Sequence, residues 1–167
     1  MLYRGLSIAL AIPCFNEEKA IAKVIQDFRT SMPELAIHVF DNASTDRSAG
    51  LARASGARVV SVPLPGKGNV VRRMFADVDA DVTVMVDGDA TYEAAAVRRL
   101  IDTLIDQGLD MVVGCRQVSD ADAAQAYRPG HRFGNRLLTA TVKHIFGGQF
   151  RDMLSGCRAI GPSAVAM

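Results

Sequence analysis

Two aspartates stand two residues apart behind an apolar run: Val82-Thr83-Val84-Met85-Val86 leads into Asp87-Gly88-Asp89. On an extended segment residues i and i+2 point to the same side. Both carboxylates are therefore expected to face one space, with Gly88 letting a ligand approach the backbone closely. Two adjacent carboxylates repel unless a cation lies between them. Mg²⁺ or Mn²⁺ suits such a pair, because these ions take oxygen ligands and share them between carboxylate and phosphate. The plainer reading makes the pair a cap for a turn or for the helix that follows.

Three more polar clusters follow apolar runs: Pro13-Cys14-Phe15-Asn16-Glu17-Glu18, Asp41-Asn42-Ala43-Ser44-Thr45-Asp46 and Gly66-Lys67-Gly68. Asp41 is read either as an acceptor for base N–H or ribose hydroxyl groups or as part of a helix-entry turn, which Asn42, Ser44 and Thr45 favour. Glu17 is read as a cleft residue or as a first-turn acid complementing a helix dipole. The Gly66-Lys67-Gly68 segment lacks GxxxxGK[ST] and a correctly spaced third glycine, so it is neither a P-loop nor a dinucleotide fingerprint. It does offer backbone N–H groups and one cation to a phosphate.

The elements that must position these clusters alternate regularly. Apolar strands are expected at 7–13, 36–41, 58–62 and 82–86, with a fifth starting at 111–113. Helices are expected at 17–28, where Ile21, Val24, Ile25 and Phe28 form a stripe, at 46–54 with Ser44 or Thr45 as cap, at 68–78, and at 93–107. Gly108 stands where a helix-ending glycine belongs. The order βαβαβαβαβ predicts an α/β fold, a doubly wound, mainly parallel sheet with helices on both faces. Ligands in such sheets sit at the carboxyl ends of the strands, where all four clusters fall. Beyond Arg116 the character changes. Residues 117–125 are polar and rich in Ala and Asp, and 117–130 are expected to be mobile. Residues 129–146 resume as a helix with a broad apolar face.

Composition sets the outer limits. A chain of 167 residues is one domain's worth, and 49% apolar content supplies a core. A net charge of +1, from 19 basic and 18 acidic residues, gives no basic footprint for nucleic acid. Cys14, Cys115 and Cys157 are far apart and odd in number, which argues against a disulfide framework or a zinc site and points to a cytoplasmic setting. Cys14, flanked by apolar residues, reads as inert. The start lacks a signal-peptide apolar region, and no run approaches the roughly 18 apolar residues of a membrane span. His131 and His144 receive no role.

Taken in order, the clusters resemble the family 2 glycosyltransferases with the glycosyltransferase A-type fold. IPCFNEE (12–18) is similar to their first-strand motif, DNASTD (41–46) to a DDGSTD-type segment, GKGNVVRRMF (66–75) to GKGxAxxxG, and VDGDA (86–90) to the metal-binding DxD. GCR (114–116), RPGHRFGNRLLT (128–139) and DMLSGCRAI (152–160) resemble the polyprenyl-phosphate branch, which includes dolichyl-phosphate mannose synthases. Three positions depart from the pattern: Asn42 replaces the second Asp of DDGSTD, Thr91 stands where this branch often has Gln, and Cys157 replaces the aromatic residue of SGFR.

The resemblance implies a metal-dependent, inverting transfer of a sugar from a UDP- or GDP-sugar to a polyprenyl phosphate. Asp41 would contact the base, with Pro13 and Glu17 lining the nucleoside pocket. Asp87 and Asp89 would hold Mg²⁺ or Mn²⁺ on the donor diphosphate, Asp89 more directly, and Lys67, Gly88 and Arg116 would border the donor. Arg128 and Arg132 would face the acceptor phosphate. Asp152, Ser155 and Arg158 would lie on the acceptor side, Asp152 as a base or as an orienting or helix-capping carboxylate. Residues 1–116 would form the nucleotide-sugar core and 117–167 the start of an acceptor-side subregion of the same domain, cut short relative to the family. Apolar surface near 137–146 would favour a homodimer or peripheral contact with the inner face of a membrane, in cell-envelope biogenesis. A saccharide or other lipid acceptor, or nucleotide binding without transfer, are the rival expectations.

Overall fold

The computed structural model of the protein describes residues 2–90, 92–114 and 155–162. Six strands form one sheet: β1 (Ile8–Cys14), β2 (Ala36–Asp41), β3 (Arg58–Ser61), β4 (Val82–Met85), β5 (Met111–Val113) and β6 (Arg158–Ile160), in the order β3-β2-β1-β4-β6-β5. Four helices connect them: α1 (Ile21–Ser31), α2 (Ser48–Ala54), α3 (Lys67–Asp77) and α4 (Ala94–Asp106). The expected mainly parallel α/β sheet is present, with β3, β2, β1 and β4 all parallel.

The central strands are apolar on both sides because both faces are covered. Leu10, Ile12 and Val84 have no exposed surface, and each such side chain contributes roughly 1.5–3 kcal/mol relative to an exposed one. On one face, Ile21, Val24, Ile25 and Phe28 of α1 and Val97, Ile101 and Leu104 of α4 join Ile8, Leu10 and Ile12 in the larger apolar layer. On the other, Val70 and Met74 of α3 pack against Ala11, Phe40 and Met85. Helix α4 ends as anticipated at Gly108. That residue has φ +59°, its N–H reaches Ile105 O at 3.3 Å, and Leu109 N–H reaches Leu104 O at 3.0 Å. This paired 5→2 and 6→1 closure is the glycine-terminated helix end.

Three details differ from the sequence reading. Helix α1 starts at Ile21, so Glu17 precedes the helix and its first turn holds no acid. Helix α2 starts at Ser48 with Arg47 at its N-cap, and neither Ser44 nor Thr45 caps it. Asp46 does that work instead, accepting the Ser48 N–H at 2.9 Å. The largest difference is β6, which lies antiparallel between β4 and β5. Gly114 N–H donates to Cys157 O at 2.9 Å and Gly161 N–H to Asp110 O at 2.9 Å, extending this pairing. The sheet therefore crosses the expected boundary at residue 116. A three-residue strand carries no usable periodicity, which is why its residues gave no strand signal. The proposed loop over 117–130 and the helix over 129–146 lie outside the described residues. Among those described, no helix is long and apolar enough to cross a membrane.

Candidate functional site

A cleft of about 730 Å³ opens at the carboxyl ends of β1, β2 and β4. Its walls come from all four polar clusters: Pro13, Phe15 and Glu17; Asn42, Ala43 and Thr45; Gly66 and Lys67; and Asp87, Gly88 and Asp89. The strand order makes this convergence inevitable. β1 is paired on one side with β2 and on the other with β4, so Cys14 stands beside Asp41 and Ala11 beside Met85. The loops leaving these strands must emerge together.

The loops are tied to one another by short polar side chains. Asn16 N–H donates to Ser44 Oγ at 3.0 Å, and Thr45 N–H donates to Asn16 Oδ1 at 2.8 Å. Glu17 N–H donates to Ser48 Oγ at 2.7 Å, and Glu18 N–H to Asp46 Oδ2 at 3.1 Å. Asn42, buried at 7% exposure, binds the third loop. Its Nδ2 donates to Val62 O at 2.9 Å and Leu64 O at 2.8 Å, while its Oδ1 accepts the Gly66 N–H at 2.8 Å. An aspartate there would have no N–H to give either carbonyl. The departure from DDGSTD thus has a physical reason in this chain. The Gly66 N–H, anticipated as a phosphate donor, is already engaged by Asn42.

Asp87 and Asp89 both reach the cleft, though not by extended geometry. β4 ends at Met85, Gly88 and Asp89 lie in a turn, and Ala90 follows at φ +60°. Lys67 Nζ, from the first residue of α3, meets Asp87 Oδ1 at 2.5 Å. The space beside Gly88 lies 3.5 Å from Ile12 Cγ2 and from Pro13 O, and 3.6 Å from Glu17 Cγ, ordinary contact distances for a side chain. The forced close approach is at Gly156 instead, where an added Cβ would stand 2.0 Å from Asp87 Oδ2.

Negative charge accumulates here. Glu17 has its pKa raised, first by burial and then by the charges of Asp89, Asp46 and Asp87. Asp41, 8% exposed, has an oxygen, Oδ1, with no hydrogen-bond partner. A buried carboxylate oxygen left without a donor is costly; Asp41 itself is not among the residues that line the cleft, although its neighbours Asn42 and Ala43 are. Burial pushes the thiols of Cys14 and Cys157 up to about 11, so neither is a nucleophile at neutral pH.

Of the other expected residues, Ser155 is buried, and its Oγ donates to Gly114 O and lies 3.2 Å from the Tyr92 hydroxyl. Arg158 Nε donates to Ser155 O at 3.2 Å. Arg116, Arg128, Arg132, Asp152 and Thr91 lie outside the described residues. Two residues the sequence reading passed over belong to this region. Phe15, 58% exposed, is an aromatic ring on the cleft wall, and Tyr92 joins the loop after β4 to the turn before β6. An aromatic residue inside a polar loop motif was the available signal for Phe15. Tyr92 had none.

A family model described as glycosyl transferase family 2 matches residues 9–165. Protein RfbJ of Shigella flexneri is 58% identical over 131 residues, which are 78% of this chain and 100% of RfbJ. The dolichyl-phosphate hexose transferase of Haloferax volcanii is 30% identical over 152 residues, 91% of this chain and 65% of that protein. Glucosyl-3-phosphoglycerate synthase from Mycobacterium tuberculosis, crystallised with Mn²⁺ and uridine-diphosphate-glucose, superposes with a TM-score of 0.73 at 30% identity. That match covers 95% of this chain and 57% of the synthase. The chain thus spans less than two thirds of the length of both transferases.

The Asn42 tie generates a test. Asn42→Asp removes two donated hydrogen bonds and sets a carboxylate oxygen against two carbonyls, at an expected cost of about 2–3 kcal/mol at neutral pH. The new carboxyl would have its pKa raised in the folded state, so the deficit should shrink on acidification, where a protonated oxygen again donates. Denaturant unfolding at pH 7 and pH 5 measures both effects. Equal stability of variant and parent at pH 7 would contradict this role for Asn42.

Proposed function

The chain belongs to glycosyl transferase family 2, and from that premise we propose that its cleft binds a nucleotide-diphospho-sugar with a divalent cation, for transfer of the sugar to a polyprenyl phosphate. The observation that carries the reading is the carboxylate excess at the cleft: Glu17, Asp87 and Asp89 all line it, and the pKa of Glu17 is raised by burial and then by the charges of Asp89, Asp46 and Asp87. Among the described residues no group of three or more His, Cys, Asp or Glu side chains is placed to hold a metal by itself. One or two hard carboxylates with the remaining positions left to phosphate oxygens and water is the donor set that suits Mg²⁺ or Mn²⁺. Asp87 and Asp89 fit that set. The cation supplies neutralisation of charge on the departing nucleoside diphosphate.

The protein's own groups do the rest. The unpartnered Asp41 oxygen accepts from the base or ribose, and Pro13 and Glu17 flank the nucleoside. Phe15 offers a ring face beside them. Lys67 brings one positive charge to the diphosphate side, and the N–H groups of Lys67 and Gly68, the first two of α3, precede the first intrahelical hydrogen bonds at Asn69 and Val70, which suits an anion. A lipid phosphate is already anionic and needs no general base, so Asp152 is assigned to orientation. Arg116 is assigned to the donor phosphate, and Arg128 and Arg132, four residues apart on a segment with an apolar stripe, to the acceptor phosphate. On this reading residues 1–116 form most of the donor side, 117–167 contribute to the acceptor side, and work on a polyprenyl phosphate implies peripheral membrane contact. The likeness to glucosyl-3-phosphoglycerate synthase supports a second reading, a small phosphorylated acceptor.

Calorimetric titration with UDP and with GDP, in Mn²⁺ and in EDTA, tests the donor site. Chelation should weaken binding of the preferred nucleotide, and Asp89→Ala should abolish the difference. Asp41→Ala should weaken binding by roughly tenfold or more, the loss of one charge-assisted hydrogen bond, without lowering the melting temperature. Equal affinity in Mn²⁺ and EDTA would contradict the cation site, and unchanged affinity in Asp41→Ala would return Asp41 to a structural role.

Transfer assays with polyprenyl phosphate and with 3-phosphoglycerate separate the two acceptor readings. Activity on the lipid that survives Arg128→Ala and Arg132→Ala together would contradict the role given to those arginines.

A further inference from the structure

Asp87 is constrained from two sides that the nucleotide reading does not use. Its Oδ1 meets Lys67 Nζ at 2.5 Å, and its Oδ2 lies where a side chain on Gly156 would have to go, 2.0 Å from an added Cβ. The Asp87 carboxylate and any side chain at 156 exclude one another. Gly156 is itself held: its N–H donates to the Tyr92 hydroxyl at 2.8 Å. That hydroxyl lies 3.2 Å from Ser155 Oγ. A serine hydroxyl has one proton, and Ser155 gives it to Gly114 O. With that proton committed, the Tyr92 hydroxyl is the donor to Ser155 Oγ while accepting from Gly156, so both of these contacts fall on the same turn. Cys157 N–H, at 3.3 Å from Ser155 Oγ, closes it. Tyr92 leaves the loop that carries Asp87 and Asp89, so one short segment bears the carboxylates and fixes the turn against which Asp87 rests.

We infer that Tyr92 and Gly156 are positioning residues for Asp87: the Tyr92 hydroxyl fixes the turn at 155–157, and the bare α-carbon of Gly156 lets the carboxylate stand at the cleft in its cation-binding place. This rests on the reading of Asp87 as a cation ligand. The geometry makes Gly156 unlike Gly50, an exposed helical position where an added Cβ meets nothing within 4 Å. A methyl at 156 displaces Asp87 and breaks its pair with Lys67. A missing hydroxyl at 92 releases the turn without removing any cleft group.

The test uses the 167-residue chain with Gly156→Ala, Tyr92→Phe and Gly50→Ala as the control. Three quantities are read: the melting temperature, the position of the Asp87 carboxylate in crystal structures, and the gain in UDP or GDP affinity on replacing EDTA by Mn²⁺. Partners that orient a metal ligand typically change metal affinity about 10–100-fold when lost. Gly156→Ala should displace the carboxylate and cut the Mn²⁺ gain by about tenfold or more, with affinity in EDTA no weaker than the parent's because Lys67 is released. Tyr92→Phe should act in the same direction by less, and Gly50→Ala should change nothing. If Gly156→Ala does not fold, Tyr92→Phe carries the test with one oxygen removed. An Asp87 carboxylate left in place, or displaced with the Mn²⁺ gain intact, overturns the inference. A parent protein with no Mn²⁺ gain for either nucleotide overturns the cation reading beneath it instead.

Discussion

Glu17, Asp46, Asp87 and Asp89 crowd the carboxyl edge of the sheet, where burial first and then the charges of Asp89, Asp46 and Asp87 raise the proton affinity of Glu17. Like charges brought together at the end of a packed sheet disfavour their own ionisation. The arrangement persists because other groups offset it. Lys67 stands on Asp87, and Asp46 spends its oxygens on the Ser48 hydroxyl and on the N–H groups of Glu18 and Ser48, which holds its pKa below the usual carboxylate range. Asp87 and Asp89 remain on the cleft wall, where the proposed divalent cation and diphosphate would complete the neutralisation.

Holding four loops around that charge demands rigidity that loops alone lack. The scaffold supplies part of it, since β1 lies between β2 and β4 and all three are largely buried. Hydrogen bonds between loops supply the remainder: Asn16 with Ser44 and Thr45, Ser48 with Glu17, and the buried Asn42 amide spanning Val62 to Gly66. Each is worth about 0.5–1.5 kcal/mol net, but their common effect is to make the first three loops one body. The fourth loop is anchored differently, through Tyr92 to the turn that precedes β6. The antiparallel strand between β4 and β5 is thus the element that carries a glycine up against Asp87.

Much of this was legible in the amino-acid order. Runs such as ALAI and VTVM have no other plausible place than a doubly covered sheet, the stripe on α4 and its terminal Gly108 mark both ends of that helix, and the four polar clusters sit where an α/β sheet binds its ligands. What escaped notice depends on partners far apart in the chain. Tyr92 and Gly156 are 64 positions apart, Lys67 and Asp87 are 20 apart, and neither pairing leaves a local trace. β6 is too short to show a period. The same-side geometry expected of Asp87 and Asp89 assumed an extended segment, whereas a turn with Ala90 at positive φ brings both to the cleft. Ser44 and Thr45 looked like caps because their residue types suit that role, yet their hydrogen bonds go to Asn16.

On the proposed reading, the carboxylates gathered at this edge would hold a cation on a nucleoside diphosphate. A crystal structure of the chain grown with UDP or GDP and Mn²⁺, with anomalous scattering recorded for manganese, measures it directly. The expected result is a manganese peak bonded to a carboxylate oxygen of Asp89 or Asp87 and to the diphosphate, with the base directed toward Asp41. Nucleotide bound in the cleft with no manganese at either aspartate, or bound away from the ends of β1, β2 and β4, would contradict it.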